Sequence, residues 1–205
     1  MTVAAERETA RVEAFSDGVF AIAITLLVLE FKVPRLGHAA SGAQLWDSLR
    51  DLWPSLVAFV GSFAAILIMW INHHGLFRMV QRVDTPFLYV NGLMLMLVSF
   101  VPFPTAVLAE YLGHEGEGMA AAFYCGTFVL VSLTFQLWWW TVNRRRLLHA
   151  HVSAASVARV TRSYRLGFAV YVAAAILAFW SAAAGLGLCI GLWLYWARLS
   201  YRAEA

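Results

Sequence analysis

Apolar positions run along this chain in long unbroken stretches, and its polar residues gather between them. Six stretches are long enough for a hydrocarbon core of about 30 Å, which takes roughly 20 helical residues to cross. They cover about 13–33, 52–72, 86–110, 119–141, 165–184 and 186–202. The last two are parted only by the small-residue break around Gly185 and Gly187, which reads as a tight helical hairpin. The pattern predicts an all-α integral membrane fold: one domain over 1–205, with six transmembrane helices and no internal repeat. Pro54 falls in the first turn of the second helix, where proline is tolerated. Pro102 and Pro104 predict a kink in the outer half of the third.

Composition sharpens this reading. The chain is 61% hydrophobic and 13% charged, against about 25% charged residues in soluble domains. A soluble globular fold is therefore a poor reading, and an integral membrane protein is expected. The net charge of +3 matters less than its placement. One side of the predicted bundle receives Arg7, Arg11, Arg78, Arg82, Arg144, Arg145, Arg146, Arg159, Arg162, Arg165, Arg198 and Arg202. The other receives Lys32, Arg35 and Arg50, beside the acidic Glu110, Glu115 and Glu117. That asymmetry predicts cytoplasmic termini, with 142–165 as the main internal loop. The mixed, acidic-containing start shows no cleavage site and is not read as a signal peptide.

Trp138, Trp139 and Trp140 precede Asn143 and three arginines, which reads as an interfacial anchor in the lipid bilayer. A base-stacking platform is the lesser reading, and no nucleic-acid partner is expected. Arg159, Arg162 and Arg165 recur every third residue, but they precede an apolar run rather than lie inside it. A basic flank fits them better than a voltage sensor. Cys125 and Cys189 both fall in apolar segments and suggest neither a disulfide framework nor a metal site.

The first helix carries the chemistry. Asp17 sits just inside an apolar run, where an ionised carboxylate costs at least about 2.5 kcal/mol and so calls for a partner or a wet path. Beyond it, Gly18, Ile22, Thr25 and Leu29 step by four, three and four residues and share one face. Ser16, Phe20, Ala23 and Leu27 lie opposite. A ring of Ile or Leu side chains closes a narrow pore by dewetting, and a ring of Thr hydroxyls replaces part of a cation's hydration shell. Spacing alone equally describes a packing seam between helices. Glu30 would add negative potential at the outer mouth.

Asp17 has no cationic partner one turn away on its own helix. An antiparallel second helix brings Trp70, Asn72, His73 and His74 to the same depth. This predicts a polar network of Ser16, Asp17, Asn72 and one or both histidines, with Arg11 as a further member, fixing the rotation of the first helix. A proton relay through Asp17 and histidine is a second reading. A metal site of Asp17, His73 and His74, as in a membrane metalloenzyme, is a third. It is weakened because adjacent histidines on a helix diverge by about 100°.

Arg11-x-x-x-Phe15-Ser16-Asp17 at the start of the first helix resembles the signature of the transmembrane-protein-175 family of potassium channels. Trp70-x-Asn72-His73-His74 and Pro102-Phe103-x-Thr105 are similar to other typical stretches of that family. The resemblance implies a homotetrameric, filter-less channel passing potassium and other monovalent cations, with no cofactor and no enzymatic activity. Single-repeat, six-helix members are prokaryotic, which implies a cytoplasmic membrane. It also implies that Ile22 forms an apolar constriction, that Thr25 is a hydroxyl position tied to selectivity, and that Leu29 forms a further ring. Arg11, Phe15, Ser16, Asp17 and His73 or His74 would brace the pore helix. Some members pass protons, so a proton-conducting channel or a proton-coupled transporter is the alternative.

Overall fold

The computed structural model describes residues 3–37 and 41–198, which contain eight α-helices and no strand. In chain order these are α1 (Val3–Leu26, continued by a 3₁₀ turn Leu27–Glu30), α2 (Gly42–Arg50), α3 (Trp53–Phe77), α4 (Thr85–Phe100), α5 (Pro102–Tyr111), α6 (Glu117–Arg144), α7 (Ala154–Ala178) and α8 (Ala182–Arg198). Four stretches among the described residues are long and apolar enough to cross a bilayer: Arg7–Glu30, Trp53–Phe77, Thr85–Tyr111 and Glu117–Arg144. They match the first four runs read from the sequence.

The last two runs come out differently. Helix α7 starts eleven residues early, at Ala154, because the Ser153 hydroxyl accepts the Ser156 N–H at 3.1 Å and caps it. Arg159, Arg162 and Arg165 therefore lie on the helix, which shortens its apolar part. The hairpin turn is not at Gly185 and Gly187 but at 179–181, where the Ser181 hydroxyl accepts the Ala184 N–H. Gly185 sits inside α8 instead. A Cβ there would come within 2.6 Å of the Ala178 Cβ and 2.8 Å of the Ala174 carbonyl oxygen, so the glycine permits α7 and α8 to touch. The expected end of the sixth run, with Arg202, lies outside the described residues, as do both termini.

Helix α6 is the most enclosed of the four candidate spans, with 61% of its apolar window buried, and α1 the least, with 22%. Aromatic rings fill the centre: Phe128 stacks on Tyr171 at 5.7 Å, and Phe87 meets Trp138 edge-on at 5.1 Å. The proline break between α4 and α5 is satisfied locally. Thr105 donates its hydroxyl to the Val101 carbonyl at 2.8 Å and also meets Ser62 at 2.7 Å, and Ser62 in turn meets Tyr124 at 2.9 Å. That buried chain ties α5, α3 and α6 together, as irregular backbone at membrane depth requires.

At the arginine-rich end, the α3–α4 and α6–α7 connections clamp each other. Gln81 donates its N–H to the Leu147 carbonyl at 2.8 Å, and His149 donates to Met79 at 3.0 Å. Asp84 caps α4 through the Phe87 N–H at 3.0 Å and pairs with Arg145. Partial burial pushes its carboxyl up, but the Arg145 guanidinium and the Phe87 N–H outweigh this and hold it below the usual carboxylate range. At the opposite end, Lys32 meets Glu110 at 2.6 Å and fastens the chain leaving α1 to the end of α5. That contact raises the Lys32 ammonium above its ordinary value.

Candidate functional site

The two faces of α1 have opposite fates. Ser16, Phe20, Ala23 and Leu27 are sealed against the bundle, none more than 2% exposed. Ile22 is 60% and Leu29 71% exposed, and Gly18 and Thr25 are also open. A Cβ on Gly18 would meet nothing within 4 Å. The residues expected to share a stripe therefore lie together on a side of α1 that the described residues leave largely bare. Thr25 donates its hydroxyl hydrogen to the Ile22 carbonyl at 2.9 Å. The remaining lone pairs of its oxygen are left to accept or to coordinate. The 3₁₀ turn begins at Leu27, so Leu29 follows a tighter winding than an α-helix would give it.

Three polar ties fix this orientation. The first is a hub at Asn91 of α4, buried to 2% exposure. Its Nδ2 donates to the Ser16 hydroxyl at 3.0 Å, while its Oδ1 lies 3.2 Å from His73 Nε2 and accepts the Trp138 indole N–H at 3.1 Å. Ser16 passes its own hydrogen back to the Val12 carbonyl at 2.8 Å. One amide thus joins α1, α3, α4 and α6. The second tie is the Trp70 indole N–H, which donates to Asp17 Oδ1 at 2.9 Å. The third, nearer the helix start, is His74 Nδ1 with Glu13 Oε1 at 2.8 Å. The His73 ring packs among Phe20, Phe77 and Trp138, with centroids 4.7 to 6.1 Å away.

The expected network is thus three separate links, with a different membership. Ser16 and His73 meet through Asn91, but Asp17 joins Trp70, and His74 joins Glu13. Asn72 departs from the expectation altogether. It points away from α1 and returns its Nδ2 to the Ile68 carbonyl at 2.8 Å, because it lies about 100° around α3 from His73. Arg11 is exposed, and among the described residues it joins no hydrogen bond or ion pair. Phe15 is 66% exposed, beside the bare face rather than in the buried cluster. With Asp17, His73 and His74 turned to different partners, no group of three His, Cys, Asp or Glu side chains among the described residues is placed to hold a metal.

Two features escaped the sequence reading. Asn91 is an amide inside an apolar run, the same kind of signal that singled out Asp17. The tryptophan triplet is not one anchor. Trp138 and Trp139 are buried, and Trp139 donates to Thr161 at 3.0 Å. Only Trp140, 60% exposed, faces outward.

Comparison with known proteins agrees in sequence and in fold. Residues 11–102 match the family model described as endosomal/lysosomal potassium channel TMEM175. A potassium channel of Chamaesiphon minutus is 49% identical over 94% of this chain and 95% of its own. The human endosomal/lysosomal proton channel TMEM175 is 32% identical over 82% of this chain, spanning 35% of the human protein. A crystal structure of a lysosomal potassium-selective channel TMEM175 homolog from Chamaesiphon minutus superposes with a TM-score of 0.82 at 47% identity. That superposition covers 96% of this chain and all of the other.

Proposed function

We propose, from the premise that this chain belongs to the TMEM175 family of ion channels, that copies of α1 line its conducting pathway. The chain is a membrane protein and a potassium-permeable channel. One subunit encloses no passage along the bare face of α1, so several copies must meet there. Four around an axis suit a chain with a single repeat, each crossing six times with both ends in the cytoplasm of a prokaryotic cell. In that arrangement Ile22 closes the pore by dewetting, Thr25 offers oxygen lone pairs to a partly dehydrated cation, and Leu29 narrows the outer part.

The observation that carries this reading is the contrast across α1. A helix turned by a buried amide hub and an indole–carboxylate contact leaves Gly18, Ile22, Thr25 and Leu29 largely uncovered by the described residues. Ser16, Asp17 and His73 hold the pore helix in rotation, and Asn91, Trp70 and Trp138 complete the brace. Conduction by this route needs no cofactor and no covalent chemistry.

Purified protein in a planar bilayer under opposed potassium and sodium gradients tests the proposal. Unitary current steps with a reversal potential displaced towards that of potassium are expected. Saturable, step-free flux coupled to pH would instead mark a carrier. Proton conduction is the second reading, and the half-buried Asp17 carboxylate favours it because only one of its oxygens is tied, to Trp70. The human relative is itself named a proton channel. A reversal potential that follows the pH gradient would establish that alternative.

A further inference from the structure

Helix α2 stands apart from the rest of the chain: none of its residues is buried, although one of its faces is apolar. At about 100° per residue, Leu45, Trp46 and Leu49 fall within about 100° of arc, while Gln44 and Asp47 lie opposite. Leu45 and Leu49 are each 46% exposed and Trp46 63%. The apolar stripe is therefore largely uncovered by the described residues. The helix is nonetheless well begun. The Ser41 hydroxyl accepts the Gln44 N–H at 3.3 Å, and Gln44 Oε1 accepts the Ser41 N–H at 2.8 Å, a reciprocal cap. A cap alone does not hold nine residues helical in water, where so short a helix is marginal until an apolar face is packed. Something beyond the subunit must cover the stripe.

The place of α2 in the chain says what does. It lies between two stretches long and apolar enough to cross a bilayer, Arg7–Glu30 and Trp53–Phe77. Only Asp51 and Leu52 part it from α3, so its end is held at the plane where that span enters hydrocarbon. Nine residues at 1.5 Å each reach about 14 Å, under half of a core of about 30 Å, so α2 cannot cross. Trp46 and, at the start of α3, Trp53 are exposed tryptophans, the side chains that settle at such a boundary. The formal charges of Asp47 and Arg50 cancel, so apolar burial rather than attraction to anionic lipid drives the contact. We propose that α2 is an interfacial helix lying in the plane of the bilayer face opposite the arginine-rich connections. Leu45, Trp46 and Leu49 sink among lipid acyl chains, and Gln44 and Asp47 turn to water. The partner is the lipid surface and not a second copy, because the flanking spans already bring the stripe to lipid. This goes beyond the channel reading, and its test does not depend on current.

Nitroxide labelling of the full chain in phosphatidylcholine vesicles tests the proposal. Labels on Leu45→Cys, Leu49→Cys and Asp47→Cys are read one at a time for collision with oxygen, which concentrates in hydrocarbon, and with a water-soluble nickel chelate. The native Cys125 and Cys189 are buried, and parent protein carried through the same labelling gives their background. All three labelled positions are exposed and outside the core, so the labels leave the fold intact. The oxygen-to-nickel collision ratio should be several-fold higher at Leu45 and Leu49 than at Asp47, as for a helix sunk about 5–10 Å into the headgroup boundary. A high and equal nickel collision rate at all three positions would put α2 in water. Low rates with both reagents at Leu45 and Leu49 would put the stripe against a second copy. Either result would overturn the proposal.

Discussion

The two sides of α1 are made of similar material, yet one is sealed and the other bare. Phe20, Ala23 and Leu27 are apolar, and so are Ile22 and Leu29. In a bilayer, where lipid tails are as apolar as leucine, hydrophobicity cannot choose between such faces. The choice is made by polar contacts: Ser16 to Asn91, Asp17 to Trp70 and Glu13 to His74 pin the helix at successive positions along its middle turns. An apolar face in a membrane helix thus gains a direction from the few polar side chains around it.

The largest expected effect comes from removing the hub. Asn91→Leu deletes the contact to Ser16 and leaves His73 Nε2 and the Trp138 indole N–H without their partner. A loss of about 2–3 kcal/mol is expected, read as a lower melting temperature of the detergent-solubilised assembly. If Asn91→Leu melts with the parent, the amide does not hold the two faces apart.

On the bare face, Ile22→Asn should wet the constriction and raise unitary or macroscopic current by roughly tenfold, equivalent to about 1.4 kcal/mol of barrier. Unchanged current in reconstituted protein would move the constriction elsewhere. Thr25→Val keeps shape but removes the oxygen, so it should shift the reversal potential by the equivalent of roughly threefold lower discrimination between potassium and sodium. An unaltered reversal potential would reduce Thr25 to an internal helix bond.

Much of this was legible in the sequence. The Gly18–Ile22–Thr25–Leu29 periodicity identified a single face of α1, and the depth of Asp17 called for a partner on the second spanning helix. The exact partners were not legible. Which of two adjacent histidines turns inward depends on the rotation of α3, and this chain buries His73 while leaving Asn72 on another side. Asn91 contributes from a helix whose neighbours no local spacing reveals. Boundaries in the last third follow from caps at Ser153 and Ser181 rather than from Gly185 and Gly187.

The smallest expected effect lies away from both faces, at the clamp between connections. The Asp84 carboxyl is held below its unfolded value near 3.8. Its contribution is therefore complete above that value and is lost as pH falls through the lower folded value. Asp84→Asn should cost under about 1 kcal/mol at neutral pH, since the pair with Arg145 is partly exposed. It should also flatten the acid limb of stability without altering selectivity. An unchanged acid limb, or altered ion preference, would contradict that separation.

The most direct measurement of the central claim is access from water to the bare face of α1. Ile22→Cys channels, recorded in a bilayer before and after a charged methanethiosulfonate reagent, should lose most of their current while parent channels are unaffected. Current that persists, with the introduced thiol recovered unmodified, would place that face against lipid or a neighbouring helix and contradict a pathway lined by α1.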